Sequence, residues 1–185
     1  MNKSQIRKKI FKIRKQASSK KFNLNLNFIL SIFKKERIKG KIIGGYYPYN
    51  YEINALKLFK DLEKKNYRIM LPRINDKAQM NFFYWSTKDP LQVNKLGIPE
   101  PVSNIKKYPN ILLVPLVAFD KDLNRIGYGG GFYDRYINKI KKRKKITSIG
   151  LAYSFQKVKK IRTNRYDMKL DYVVTEKKLL KWEYY

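Results

Sequence analysis

The chain has 185 residues, with 43 Lys and Arg against 14 Asp and Glu, a formal net charge of +29, and neither cysteine nor histidine. That inventory excludes disulfides, thiol nucleophiles, imidazole acid–base catalysis, His-based triads and the usual zinc sites. Carboxylates, lysine, arginine, tyrosine and backbone remain, a set suited to phosphoryl transfer, in which positioning and charge neutralisation do most of the catalysis.

In chain order, Ile6, Ile10, Ile13 and Ala17 fall at helical spacing, as do Leu26, Ile29, Leu30 and Phe33, so the first part of the chain predicts two helices. Strand signals then alternate with helical ones. Lys41 to Tyr47 reads as a strand, Asn54 to Lys65 as a helix with Leu56, Phe59 and Leu62 inward, and Tyr67 to Leu71 and Asn81 to Trp85 as strands. Ile111 to Phe119 is apolar except for Pro115, which reads as a strand buried on both faces that ends or bulges at the proline. Phe132 to Lys142 predicts a helix, and Ile146 to Tyr153 and Tyr172 to Thr175 two further strands. The alternation predicts a three-layer α/β/α fold with a mostly parallel central sheet. With no linker dividing 185 residues, 1–185 is expected to be one domain.

Four glycines within Gly127-Tyr128-Gly129-Gly130-Gly131 lie between the buried strand and the helix that starts at Phe132. Glycines permit positive φ and let backbone N–H groups converge on an anion, and a helix N-terminus adds unpaired N–H groups and a favourable dipole. Arg125 precedes the loop and Asp134 follows it. The layout is that of a site for a phosphorylated ligand. It lacks the Gly-Lys-Ser/Thr of a P-loop and the G-x-G-x-x-G of a dinucleotide fold.

The ordered run Pro115, Phe119-Asp120, Arg125-Ile126-Gly127-Tyr128-Gly129-Gly130-Gly131-Phe132-Tyr133-Asp134 resembles the signature of the 5-formyltetrahydrofolate cyclo-ligases, also called methenyltetrahydrofolate synthetases. Further blocks extend the likeness over nearly the whole chain. They are Lys3-Ser4-Gln5-Ile6-Arg7, Tyr46-Tyr47-Pro48 leading to Glu52-Ile53-Asn54, Pro72-Arg73, Ile98-Pro99-Glu100-Pro101, and the late acidic pair in Asp167-Met168-Lys169-Leu170-Asp171. Departures are few: Tyr128 and Gly130 stand where some animal members have basic residues, Asn54 where Asp or Thr is usual, and Phe132 in place of a Tyr.

The resemblance implies ATP- and Mg²⁺-dependent conversion of 5-formyltetrahydrofolate to 5,10-methenyltetrahydrofolate through a phosphorylated formyl group. It implies ATP contacts from Lys3, Ser4, Gln5, Ile6 and Arg7 and from the run Arg125, Ile126, Gly127, Tyr128, Gly129, Gly130, Gly131, Phe132 and Tyr133. Of these, Lys3, Arg125 and Tyr133 are expected to act in catalysis. Folate contacts are expected from Tyr47, Glu52, Met80, Trp85 and Tyr153 and from Tyr128 to Phe132. For Glu52 a helix N-terminal charge is an equal reading, and core packing competes for each apolar candidate. Asp134 and Asp171 are the expected Mg²⁺ ligands, carboxylate oxygens being suited to a hard cation.

The charge admits a second class, a nucleic-acid-binding protein, but that reading leaves the Arg125 to Asp134 block unexplained. The lysines are spread over every segment, including the run Lys139 to Lys145, which fits compositional drift better than a polyanion grip. A third class, an isomerase or acyl transferase of similar architecture, would use the glycine loop without ATP. No apolar run approaches the about 20 residues that span a bilayer, and the start lacks a signal-peptide pattern. A cytoplasmic monomer without nucleic-acid or membrane partners is expected.

Overall fold

Helix α1 (Lys3–Gln16) starts at a capping box, in which the Asn2 carboxamide accepts from Gln5 N at 2.9 Å and the Gln5 side chain accepts from Asn2 N at 2.8 Å. Its buried stripe is Ile6, Ile10 and Arg14, so a guanidinium takes the place where the periodicity predicts Ile13 and Ala17. In the computed structural model, which describes residues 1–19, 22–95 and 97–181, α2 (Leu26–Lys35) follows, capped by Asn25 and burying Ile29, Ile32 and Phe33.

Next come β1 (Ile42–Gly44), α3 (Leu56–Glu63), β2 (Arg68–Ile74), β3 (Met80–Tyr84), β4 (Leu91–Val93), β5 (Pro99–Pro101) and β6 (Ile111–Pro115). The chain continues with β7 (Ala118–Phe119), β8 (Arg125–Ile126), α4 (Phe132–Lys141), β9 (Thr147–Leu151), β10 (Tyr172–Val174) and β11 (Leu179–Lys181). The main sheet runs β11-β10-β9-β6-β1-β2-β3. Its five inner strands are parallel, and β3 and β11 are antiparallel edges.

Helices cover both faces. One core joins Ile29, Ile32 and Phe33 of α2 and Leu58, Phe59 and Leu62 of α3 to Ile43, Ile69, Leu113 and Ile149 of the sheet. The other joins Tyr136, Ile137 and Ile140 of α4 to Leu112, Val114, Met70 and Phe82. Alternate residues of β6 enter the two cores, as a strand buried on both faces requires. Helix α1 packs through Ile6 and Ile10 on Val117, Ala118 and Ile126 of the small β7–β8 hairpin.

Two strands are shorter than the sequence predicts. The segment from Lys41 to Tyr47 is paired only over Ile42–Gly44, and the next position approaches α3 so closely that a Cβ on Gly45 would lie 2.5 Å from the Phe59 ring. The apolar run from Ile111 to Phe119 divides in two: the ladder ends at Pro115, and β7 pairs with β8 in a separate sheet. The carbonyls of Leu116 and Val117 leave the ladder to accept from the Gln156 amide at 2.7 and 2.8 Å. Asp120 then closes the turn to β8, accepting from Asp122 N, Asn124 N and Ile161 N.

Strand order places the ligand site. From β1 the chain adds β2 on one side, and after the β4–β5 hairpin it returns to add β6, β9 and β10 on the other. The switch point is therefore the gap between β1 and β6, and in such sheets a crevice opens there at the carboxyl ends of the strands.

Candidate active site

A cleft of about 800 Å³ opens at that switch point. Its floor is Tyr46 and Tyr47 after β1, Pro72 and Ile74 at the end of β2, Met80 at the start of β3 and Pro115 at the end of β6. Gly127 to Gly131 form one wall with Phe132 to Asp134 of α4, and the loop Asn164 to Met168 forms another. Asn94, Ile98 and Pro99 of the β4–β5 hairpin close the rim. That hairpin is held by buried Glu100, which accepts from the amides of Gln92 at 3.0 Å and Asn94 at 3.2 Å.

The glycines are used for different reasons. Gly129, at φ +117°, and Gly131, at φ +64°, have backbone conformations that disfavour L side chains. At Gly130 the Phe132 ring lies where a Cβ would be, 2.5 Å away. Gly131 is the N-cap of α4 and supplies no side-chain cap, so the first N–H groups of the helix are left for a ligand.

Cations gather about this loop. Arg7 Nε donates to the Gly127 carbonyl at 2.7 Å and fixes the start of the loop. Lys3 Nζ meets Asp167 Oδ2 at 2.6 Å. Arg125, whose side chain is only 4% exposed, pairs with Asp134 at 2.8 Å and donates to the Met168 carbonyl. Burial pulls the Arg125 guanidinium pKa down and Asp134 pushes it back up. Burial pushes the Asp167 carboxyl up, but the Lys3 bond, the Asn164 N–H and the charge of Arg125 leave it below its ordinary value. Tyr133 also lines the cleft. Its hydroxyl is buried without a hydrogen-bond partner, and desolvation holds its pKa well above that of a free phenol. A buried donor without a partner is costly, and a ligand oxygen would satisfy it.

Glu52, 8% exposed, also lines the cleft and accepts from Tyr49 N at 3.0 Å across a turn whose Asn50 and Tyr51 both have positive φ. Desolvation raises its carboxyl to about 7 against the partial opposition of Tyr49 N, Arg14 and Tyr128. Cations, free N–H groups, apolar side chains and one buried acid thus line the same cleft.

The profile of the 5-formyltetrahydrofolate cyclo-ligase family matches residues 1–176. The chain belongs to this family. A 5-formyltetrahydrofolate cyclo-ligase of Haemophilus influenzae is 34% identical over 142 residues, 73% of this chain and 75% of that one. One of Mycoplasma pneumoniae is 29% identical over 182 residues, 95% of this chain and 99% of its own. The solved structure of a 5,10-methenyltetrahydrofolate synthetase of Aquifex aeolicus covers all of this chain and 95% of its own at a TM-score of 0.75 and 29% identity.

Within this cyclo-ligase fold Lys3, Arg7, Tyr47, Glu52, Met80, Arg125 to Tyr133 and Asp134 line the cleft together. Other residues expected from the sequence do not. Ser4 and Gln5 lie on the exposed side of α1, with Gln5 used in the cap, and Ile6 is buried beneath the helix. Trp85 packs edge-on against Phe59 in the core. The physical reason is strand direction: β3 is antiparallel, so Met80 starts at the cleft and Trp85, hydrogen-bonded to Ile69, ends at the far edge of the sheet. Tyr153 lies outside the main cleft, stacks on Phe155 and donates to the Glu52 carbonyl at 3.3 Å.

Asp171 is the clearest correction. It precedes β10 at the amino edge of the parallel strands, away from the cleft, and accepts from Ser148 N at 2.7 Å, from Ser148 Oγ at 2.6 Å and from Lys141 at 3.1 Å. The member of the late acidic pair that reaches the cleft is Asp167. Asp167 is a cleft residue that sequence reasoning passed over, although the acidic pair itself marked it, and Asn164, Arg165 and Tyr166 of the same loop carried no signal.

Mg²⁺ is bound by oxygen ligands and commonly by one or two carboxylates together with substrate phosphates. Asp134 and Asp167, both close enough to Arg125 to shift its pKa, supply that donor chemistry beside the glycine loop, so the residues present fit the ion. Among the described residues no group of three or more acidic side chains that could by itself hold a metal ion occurs.

Proposed function

We propose that the cleft performs the ATP-driven cyclisation of 5-formyltetrahydrofolate to 5,10-methenyltetrahydrofolate, releasing ADP and phosphate, with residues 1–185 working as a single-domain cytoplasmic monomer. One observation carries the assignment: Lys3, Arg7 and Arg125 gather about a glycine loop in a cleft that also holds the buried carboxylate Glu52.

An amide-like formyl oxygen is a poor leaving group and phosphate is a good one, so the oxygen must first be phosphorylated. The formyl oxygen on N5 attacks the γ-phosphorus and the bond to the bridging oxygen breaks, releasing ADP and giving an imidoyl phosphate. N10 then attacks the activated carbon and loses its proton, and the carbon–oxygen bond breaks with departure of phosphate. No covalent bond to the enzyme is needed, in accord with the absence of Cys and His.

The Gly127 to Gly131 N–H groups and the start of α4 cradle the phosphates, and Lys3, Arg7 and Arg125 oppose their charge. The Tyr133 phenol, kept protonated by burial, donates to an oxygen that gains charge during transfer. Glu52, when ionised, accepts two N–H bonds from the aminopyrimidinone edge of the pterin, and Tyr47 and Met80 cover its apolar faces. Asp134 and Asp167 would hold Mg²⁺, which supplies charge neutralisation at the phosphate oxygens.

The test is the absorbance of methenyltetrahydrofolate when purified protein meets 5-formyltetrahydrofolate, Mg²⁺ and ATP. Product formed only with ATP is expected. Folded protein that forms none would overturn the reading.

A further inference from the structure

Arg14 is 2% exposed on a helix face otherwise made of Ile6 and Ile10. Its Nη1 donates to the Tyr128 hydroxyl at 2.9 Å, its Nη2 donates to the Leu116 carbonyl, and its Nε is buried without a hydrogen-bond partner. A buried guanidinium left partly unsatisfied is an expensive way to fill a position that Leu or Met would fill at no such cost. The Leu116 carbonyl does not require it, because Gln156 already donates there. Arg14 must therefore be read by what its charge and fork act on.

Two such targets are present. One is Tyr128, in the middle of the glycine loop, whose hydroxyl also donates to the Tyr49 carbonyl at 3.3 Å, while its ring lies 5.3 Å from that of Phe11. The other is Glu52. The titratable groups that act electrostatically with Glu52 are Tyr46 after β1, Tyr128 on the glycine loop, Tyr133 on α4, Tyr153 after β9 and Arg14 on α1, and Tyr47, Tyr49, Tyr51 and Lys57 line the cavities it borders. Arg125 faces Tyr133 but is paired with Asp134, and Glu176 acts on Tyr153. Of the groups that shift Glu52 itself, Arg14 is the cation.

We propose that Arg14 is a positioning residue for the folate pocket: it holds the Tyr128 hydroxyl, which bonds to the carbonyl of Tyr49, whose N–H in turn holds the Glu52 carboxyl, and so it fixes Tyr128 and Glu52 together about the pterin. Helix α1 then serves both substrates, Lys3 and Arg7 the phosphates and Arg14, two turns further on, the pterin. The inference rests on the functional reading above. Burial alone drives Glu52 toward its neutral acid, which cannot accept two N–H bonds, and Arg14 opposes that drift.

The experiment compares Arg14→Met and Arg14→Lys with the unaltered enzyme in steady-state turnover from pH 5.5 to 9, with urea unfolding as the control for folding. Arg14→Met should raise KM for 5-formyltetrahydrofolate about tenfold, leave KM for ATP within about twofold, and move the acid limb of kcat/KM for the folate upward by about one pH unit. Arg14→Lys, which keeps charge but not the fork, should restore the limb and leave a smaller rise in folate KM. If Arg14→Met does not fold, Arg14→Lys carries the test through its selective effect on folate KM. Equal changes in both KM values, or an unmoved acid limb in folded Arg14→Met, would overturn the inference while leaving the assigned reaction standing. No ATP-dependent product from the unaltered enzyme would overturn both.

Discussion

Lys3 and Asp167, 164 residues apart in sequence, meet at 2.6 Å and join the first helix to a late loop at the wall of the cleft. The same loop uses Asp167 Oδ2 to accept from Asn164 N at 2.7 Å, so one carboxylate shapes its own loop and orients the lysine. Asp167→Asn should therefore lower kcat/KM for ATP by about 10- to 100-fold, the usual scale for losing a group that orients or ligates in a charged site. Asp171→Asn should change that parameter by less than about threefold and instead cost about 1–3 kcal/mol of stability, because its bonds go to Ser148. Steady-state kinetics and urea unfolding of the two variants separate the roles; the opposite pattern would return the site to Asp171.

Arg125 uses both terminal nitrogens of its guanidinium, one toward Asp134 and one toward the Met168 carbonyl. A lysine ammonium cannot reproduce that fork. Arg125→Ala is expected to cut turnover by roughly two to four orders of magnitude if the guanidinium meets the transferring phosphate. Near-normal turnover in a variant with a native circular dichroism spectrum would remove Arg125 from the chemistry.

Glu52 links stability to pH with a definite sign. Its carboxyl rises from an ordinary 4.5 to about 7 on folding, so between those values the folded chain holds a proton that the unfolded chain has lost. Stability contributed at this site falls as pH rises through that window, and the cost is complete above about 7. Glu52→Gln should thus raise unfolding stability above pH 7 by an amount on the order of 3 kcal/mol, have little effect below pH 4.5, and abolish tight folate binding. Urea unfolding at pH 4.5 and 8 measures the first effect and calorimetric titration with 5-formyltetrahydrofolate the second.

Gly129 and Gly127 should respond differently to the same change. Alanine at Gly129 must adopt φ +117°, a strained conformation costing on the order of 1–3 kcal/mol, and should disrupt the N–H array with loss of ATP affinity. At Gly127 a Cβ meets nothing within 4 Å and φ is not positive, so Gly127→Ala should stay within about 0.5 kcal/mol of the unaltered chain. Equal stability losses in the two would mean that φ is not what selects glycine at Gly129.

Sequence by itself determined what is local. Helical and strand periods report burial within a few residues, so α2, α4, β6 and the glycine loop were legible, as was the meeting of Gly127 to Gly131 with Arg125 at one cleft. The ordered motif added the family, and the missing Cys and His narrowed the chemistry. Direction and register were not legible, because they depend on partners far along the chain. Met80 begins β3 and Trp85 follows its last residue, but only the antiparallel pairing of β3 with β2 sends the first to the cleft and the second to the core. Asp167 and Asp171 are four residues apart, but the latter precedes a strand that begins at the opposite edge of the sheet. Arg14 lies on a stripe that reads as core, and the partners of its guanidinium, Tyr128 and Leu116, come from other parts of the chain. Charge–charge and hydrogen-bond geometry act through space, so the tertiary structure alone decided which of the acids and cations face one another.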